Sequence, residues 1–182
     1  MFEEMLVFHC APTLAGMKTG SMFSAKYKDE SEMRLSLSAL NRTLRNKGIR
    51  ILPLRFDSGK ALLYIYRPSK LKDDLCRESA KCILEPNGYK CAHPEKCIVH
   101  LISKMRQSDD FPHEIGLFLG YPPEDVLGFI NDPEGCKCVG CWKVYSDVES
   151  ARKLFAKYKK CTDVYRRHHK NGKTIEKLTV AV

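Results

Sequence analysis

The fold of this chain is decided by residues 49–66, which read IRILPLRFDSGKALLYIY. Both ends of this stretch are rich in apolar, aromatic and β-branched residues, which favour strands. Between them lies Asp57–Lys60, whose Ser-Gly centre is typical of a tight turn between antiparallel strands. The pattern therefore predicts a β-hairpin with strands over Ile49–Phe56 and Ala61–Tyr66.

Helical patterns flank this hairpin on both sides. In Glu30–Lys47 the apolar residues repeat at helical spacing, and Gly48 follows as a stop signal. Further helices are predicted to open at Pro68 and Pro94. A last long helix is predicted after Ser146, which with Glu149 matches a capping box.

The N-terminal segment has a less regular pattern. The apolar run Leu6–Phe8 predicts a short strand, and Pro12 suits the first turn of a helix after it. Cys10 would then lie near the N-terminus of that helix.

These elements together predict an α+β fold, with helices packed on a small, mostly antiparallel sheet. The length of 182 residues is sufficient for one well-buried core and short for two. We therefore expect a single domain over residues 1–182. Cysteine-bearing loops are predicted near residues 85–97 and 131–141.

Composition predicts a soluble cytoplasmic protein with no membrane association. No stretch approaches the roughly 18 apolar residues of a membrane span. Glu3 and Glu4 stand where a signal peptide would need positive charge. In a reducing compartment the nine cysteines stay free unless they bind metal or take part in redox chemistry.

Three cysteines fall within six residues in the stretch from Cys136 through Cys138 to Cys141. The spacing of Cys138 and Cys141 suits two thiolates on one ion, either zinc or an iron–sulfur cluster. Further ligands are predicted from the loop that holds Cys91 and Cys97. The pattern thus predicts a metal site made by these cysteines.

The same hairpin cysteines also permit thiol–disulfide redox chemistry. Cys138 and Cys141 would then cycle between dithiol and disulfide forms. Redox pairs of this spacing in thioredoxin-like proteins sit at a helix N-terminus, where the dipole lowers the thiol pKa. Here a strand is predicted to follow, so metal binding is favoured over a redox pair.

Three long strings carry a family resemblance. They are His9–Gly20 (HCAPTLAGMKTG), Phe111–Pro122 (FPHEIGLFLGYP) and Cys136–Tyr145 (CKCVGCWKVY). The chain resembles the bacterial family known as domain of unknown function 3793, found mainly in anaerobes, over nearly its whole length. The resemblance implies a cytoplasmic, single-domain protein and carries no activity. Members encoded near flavodoxins imply redox or iron physiology, with a flavodoxin as a candidate redox partner.

An alternative function is a thiol-dependent enzyme. Cys10 at a helix start would be the nucleophile, and His113 with Glu114 would supply the base. The glycines and prolines that follow His113 indicate a shaped, ligand-binding corner. Because adjacent residues diverge on a helix, Glu114 is expected to orient a group other than the partner of His113.

A second alternative is a basic binding module. Residues 143–182 hold eleven Lys or Arg against four Asp or Glu, within a net charge of +9 for the chain. Such a surface suits an acidic partner or nucleic acid. Nucleic acid is not expected, because the segment shows no reading motif and Tyr158 and Tyr165 share an apolar stripe with Phe155.

Overall fold

The computed structural model describes residues 2–107 and 110–181. Those residues form nine α-helices and five β-strands, which make one three-stranded and one two-stranded antiparallel sheet. The predicted α+β class is confirmed. The chain divides into two compact units: unit 1 comprises Met1–Ser69 and Tyr158–Val182, and unit 2 comprises Lys70–Lys157. The expectation of a single domain stays a prediction.

The predicted hairpin is confirmed and forms the centre of unit 1. Strand β2 covers Arg50–Asp57 and strand β3 covers Lys60–Tyr66. Ser58 and Gly59 have φ angles of 42° and 80°, so both central residues of the turn are left-handed, as a type I′ turn requires. Strand β1, Gly20–Lys26, pairs with the other edge of β3, which gives the order β1-β3-β2.

The amphipathic helix before the hairpin is also confirmed. Helix α2 covers Glu30–Leu44 and continues as a 3-10 turn over Arg45–Lys47. Asp29 begins the helix by accepting a hydrogen bond from the Glu32 backbone N–H at 2.7 Å. Gly48, at φ 75°, ends it in the left-handed conformation typical of a helix C-terminus.

The expectations for the N-terminal segment are wrong. Phe2–Leu14 form helix α1, and Pro12 lies in its last turn instead of opening a later helix. The residues from Gly20 to Lys26 form β1. A short apolar run does not distinguish a strand from a buried helix, and here the run belongs to a helix with most of its surface covered. Its buried members include Leu6, Val7, Cys10, Ala11 and Leu14.

The core of unit 1 is one continuous apolar cluster. It joins α1 and α2 to the sheet and includes α9, a short helix over Ile175–Leu178. Its members include Leu14, Leu37, Leu44, Ile51, Leu63, Ile65 and Ile175, all nearly inaccessible to solvent.

Unit 2 is built mainly from helices. Its elements are α3 (Pro68–Leu75, entering from unit 1), α4 (Glu78–Leu84), α5 (Pro94–Gln107), α6 (Ile115–Phe118), α7 (Pro123–Asn131), β4 (Cys138–Val139), β5 (Lys143–Val144) and α8 (Val148–Lys170, continuing in unit 1). Asp147 caps α8 by accepting from the Ser150 N–H at 3.0 Å, so the capping box predicted at Ser146 is wrong. None of the described helices is both long and apolar enough to cross a membrane.

Arg67, directly after β3, has a fully buried side chain. Its guanidinium donates to the backbone carbonyls of Thr13 at 2.7 Å and Leu14 at 2.7 Å. It also donates to Lys47 at 3.1 Å and Val180 at 2.8 Å. The last carbonyls of a helix lack intrahelical partners and favour a cation. Arg67 therefore ties the C-terminal end of α1 to two other segments of unit 1.

We predict that Arg67→Met destabilises the protein by about 3 kcal/mol or more, because buried carbonyls lose charged donors. Urea unfolding followed by circular dichroism measures this. Arg45→Met, at an exposed position in the 3-10 turn, is the matched control and should change stability by no more than about 0.5 kcal/mol. Equal stability of the two variants would contradict the role given to Arg67.

Candidate functional site

The cysteine cluster of unit 2 lies on a small β-hairpin. Cys138 on β4 pairs with Val144 on β5. The Lys137 N–H donates to the Val144 carbonyl at 2.8 Å, which extends the ladder toward Cys136. Cys136 and Cys138 are half-buried, and Cys141 is exposed in the turn between the two strands. Three thiols are thus presented on one short element at the surface of this unit.

Gly140 sits in the hairpin turn for a steric reason. A Cβ at this position would lie 2.2 Å from Cε2 of Phe155 on α8, so no larger residue fits without displacing that ring. On the other side, the ring of Trp142 meets Phe155 edge to face, with centroids 4.6 Å apart. The hairpin is therefore held against α8 by aromatic packing.

Asp125 on α7 fixes the far strand of the hairpin. Its carboxylate is buried and accepts from Trp142 Nε1 at 2.7 Å. The other oxygen accepts from the backbone N–H of Tyr145 at 2.9 Å and of Ser146 at 2.8 Å, and from Ser146 Oγ at 2.7 Å. One carboxylate thus positions both ends of the segment that follows the cysteines.

Burial alone would raise the pKa of Asp125, but the hydrogen bonds from Ser146, Tyr145 and Trp142 outweigh it. The pKa therefore lies below its ordinary value. A carboxyl group with a lowered pKa in the folded state stabilises the fold above its unfolded pKa of about 3.9. That stabilisation is lost as the pH falls through the folded-state pKa.

We predict that Asp125→Asn lowers the unfolding free energy at neutral pH by about 2 kcal/mol, since an amide cannot accept all four bonds. The wild-type advantage over the variant should shrink as the pH falls below about 4. Urea titrations between pH 3 and 7 measure both effects. Asp73→Asn, at an exposed position of α3, is the control; a constant wild-type advantage over the whole pH range would contradict the prediction.

The predicted metal ligands do not form a metal-binding group. Over residues 2–107 and 110–181, no three His, Cys, Asp or Glu side chains are arranged to hold one metal ion. This includes the five cysteines chosen from the sequence: Cys136, Cys138, Cys141, Cys91 and Cys97. Zinc or an iron–sulfur cluster as cofactor stays a prediction.

Cys91 and Cys97 form a separate thiol pair. Both are buried, with 3% and 0% of their surface exposed, and each lies close enough to affect the pKa of the other. The Cys97 thiol also contacts the Lys90 carbonyl at 3.4 Å. Burial, followed by the proximity of Cys91, raises the pKa of Cys97 to about 11, and burial also raises the pKa of Cys91. In the reduced protein both are therefore protonated thiols.

His113 and Glu114 point into different environments, as expected for neighbours. His113 is exposed, and its ring packs edge to face against Phe129 at 5.2 Å. Glu114 is buried and accepts from the Tyr89 hydroxyl at 2.9 Å and from the Lys104 ammonium. Burial would raise the pKa of Glu114, but the bond from Lys104 and other hydrogen bonds lower it overall. Glu114 is thus the buried member of a charged pair with the partly exposed Lys104, while His113 is exposed.

Cys10 lies within the core of unit 1. It is in the last half of α1, instead of at a helix N-terminus, and none of its surface is exposed. Burial strongly raises the pKa of its thiol, with only a small opposing effect from Lys18. A nucleophile requires thiolate and access to substrate. This environment favours a packing role for Cys10 over the predicted catalytic one.

Sequence reasoning missed the residues that frame the hairpin. Asp125 stands in an ordinary helical pattern, and its partners lie 17 to 21 positions further along the chain. Tyr121 stacks on Trp142 with ring centroids 4.8 Å apart, and its hydroxyl donates to the Cys141 carbonyl at 3.3 Å. The sequence signal that could have indicated these framing residues was Trp142, a large aromatic residue next to a cysteine cluster.

The architecture defines an α+β protein with a cysteine-bearing hairpin. The chain belongs to the family described as "Protein of unknown function (DUF3793)", whose model matches residues 6–179. The resemblance seen in the sequence is thereby confirmed. Searches of curated proteins and of solved structures find no match to this chain.

Proposed function

We propose that this protein is a thiol-based redox protein whose disulfide-forming pair is Cys91 and Cys97. The observation that carries the proposal is that two buried thiols, six residues apart in the chain, lie close enough for each to affect the pKa of the other. A disulfide requires the Cβ atoms of its cysteines to come within about 4.5 Å, and the short segment between Cys91 and Cys97 can bring them to this distance. The loop that they would close is short, from Cys91 to the first turn of α5.

The electron acceptor in this proposal is an external disulfide, R–S–S–R. We place the entry point at exposed Cys76, whose charge would raise the pKa of both buried thiols. Its thiolate attacks the external disulfide and releases one RS⁻. Cys91 then attacks the Cys76 sulfur and releases the second RS⁻, and Cys97 attacks the Cys91 sulfur and returns Cys76 as thiolate. The two thiol protons pass to the two RS⁻ groups, so two electrons leave the protein and two RSH form.

We predict that oxidised glutathione links Cys91 to Cys97, because these two buried thiols lie near each other. Acid quenching, alkylation of the remaining thiols and peptide mass spectrometry would detect a linked peptide lighter by two hydrogens. Cys97→Ser should abolish this link. Cys76→Ser should slow its formation without abolishing it, whereas Cys82→Ser, at another exposed cysteine of unit 2, should have no effect.

Two outcomes would count against this proposal. If Cys91 and Cys97 stay alkylated as free thiols while Cys138 and Cys141 become linked, the redox centre is the hairpin. If every cysteine stays reduced at a large excess of oxidised glutathione, the protein is not a thiol redox protein.

Metal binding by the hairpin is a second candidate function. The supporting observation is that Cys138 lies on β4 and Cys141 in the turn that follows it, so that two thiols of one short hairpin are three residues apart, a spacing common in metal sites. Zinc or an iron–sulfur cluster is the proposed cofactor, and the remaining ligands would have to come from Cys136 and from groups that rearrange on binding.

The metal prediction is tested by elemental analysis and visible absorbance of protein purified without oxygen. The double variant with Cys138→Ser and Cys141→Ser should lose bound metal and thermal stability, since metal binding adds directly to folding free energy. Cys76→Ser with Cys82→Ser is the matched control. A full complement of metal in the hairpin variant, or no metal in the wild type, would exclude this candidate.

The other predicted functions are supported less well. The buried position of Cys10 opposes the thiol-enzyme alternative. In the basic segment, Arg166 lies over the Phe8 ring at 5.1 Å, and Tyr158 is buried. These contacts use part of the segment for packing within unit 1. The basic binding module, with an acidic partner or nucleic acid, stays a prediction. A flavodoxin as redox partner stays a prediction.

A further inference from the structure

Unit 2 contains a cavity beside the cysteine hairpin. Its volume is about 220 Å³, and it lies among α6, α7 and the segment that follows Cys141. An apolar cavity of about 150 Å³ is sufficient to hold benzene. This cavity therefore has room for one aromatic ring with a short substituent.

The walls of the cavity are aromatic and aliphatic. Tyr121 and Trp142, which stack on each other with an interplanar angle of 27°, both border the cavity. Val126 and Phe129 on α7 contribute further apolar surface. Asp125 also borders the cavity, but its carboxylate already accepts four hydrogen bonds from the hairpin segment. Aromatic and aliphatic walls favour an apolar ring, such as an aromatic one, over a polar molecule.

Two basic side chains, His113 and Lys143, border the same cavity. Both lie against Phe129: the His113 ring at 5.2 Å and the Lys143 ammonium at 5.7 Å from its centroid. Lys143 donates to the Pro133 carbonyl at 2.7 Å and to Glu134 at 3.2 Å. Because the Glu134 side chain is 90% exposed, solvent screens this ion pair, and an anionic ligand group can compete for the ammonium.

We propose that this cavity is a binding site for a monocyclic aromatic carboxylate. The ring lies along Tyr121 and Trp142, and the carboxylate meets Lys143 and His113. The site is separate from the Cys91–Cys97 pair, so this proposal does not depend on the proposed redox function.

The chain provides its own reporter for this site, because Trp142 is its single tryptophan. Titration of the full-length protein with benzoate should change the tryptophan fluorescence saturably, with a dissociation constant of ~1 mM. Benzyl alcohol should bind about two- to fivefold more weakly, since it lacks the charge. Benzylammonium, which carries the opposite charge, should bind more weakly still.

Variants separate the two parts of the site. Lys143→Met keeps most of the side-chain stem and should reduce benzoate affinity to that of benzyl alcohol. Lys137→Met is the matched control, since Lys137 is exposed on the same hairpin and contacts the Ser146 carbonyl instead of the cavity. Ile115→Phe fills the cavity and should prevent binding of all three probes.

Saturation-transfer NMR on the wild-type protein gives a second measurement that does not depend on any variant. If neither method detects saturable benzoate binding at about 10 mM, the cavity is not a ligand site. If benzylammonium binds as tightly as benzoate, or if Lys143→Met and Lys137→Met behave alike, the aromatic-carboxylate assignment is wrong.

Discussion

A charge that is removed from water must find fixed hydrogen-bond partners, and this constraint organises both units of the protein. In unit 1 the Arg67 guanidinium is fully buried and has backbone carbonyls as partners. In unit 2 the Asp125 carboxylate is buried and has two backbone N–H groups among its donors. Within the described residues, every buried side-chain nitrogen and oxygen has a hydrogen-bond partner. Each of these charges therefore selects one arrangement of the segments around it.

The parts of the fold that were predictable are those with local signals. In residues 49–66, Ser58-Gly59 marks the turn between the strands, and Gly48 marks the end of the helical segment that begins with α2. These signals depend on backbone conformations that few residues adopt easily. The local sequence is therefore sufficient to predict the turn or the helix end. Helix α1 was misread because its apolar run has no such signal and its helical state depends on a core formed by distant segments.

The candidate sites show the limit of local patterns more clearly. Ser146 was read as a helix cap, but its hydroxyl is engaged by Asp125, 21 residues earlier in the chain. The proximity of Cys91 and Cys97 was equally hidden, since a spacing of six residues matches no common ligand or redox motif. The density of cysteines drew attention to the hairpin, but it did not indicate which thiols lie near each other. Contacts between side chains depend on the tertiary structure. A single sequence indicates such a contact only where the residues match a known motif.

The division of the chain has a consequence for its synthesis. Unit 2 is one continuous segment, whereas unit 1 is assembled from two segments that lie on either side of it. Domains tend to fold as they emerge from the ribosome, in the order of translation. The partners of Arg67 include the carbonyl of Val180, so this hydrogen-bond set is completed only after residue 180 has left the exit tunnel. Unit 1 can therefore complete its fold only after the whole of unit 2 has been synthesised, although the hairpin of unit 1 is translated earlier.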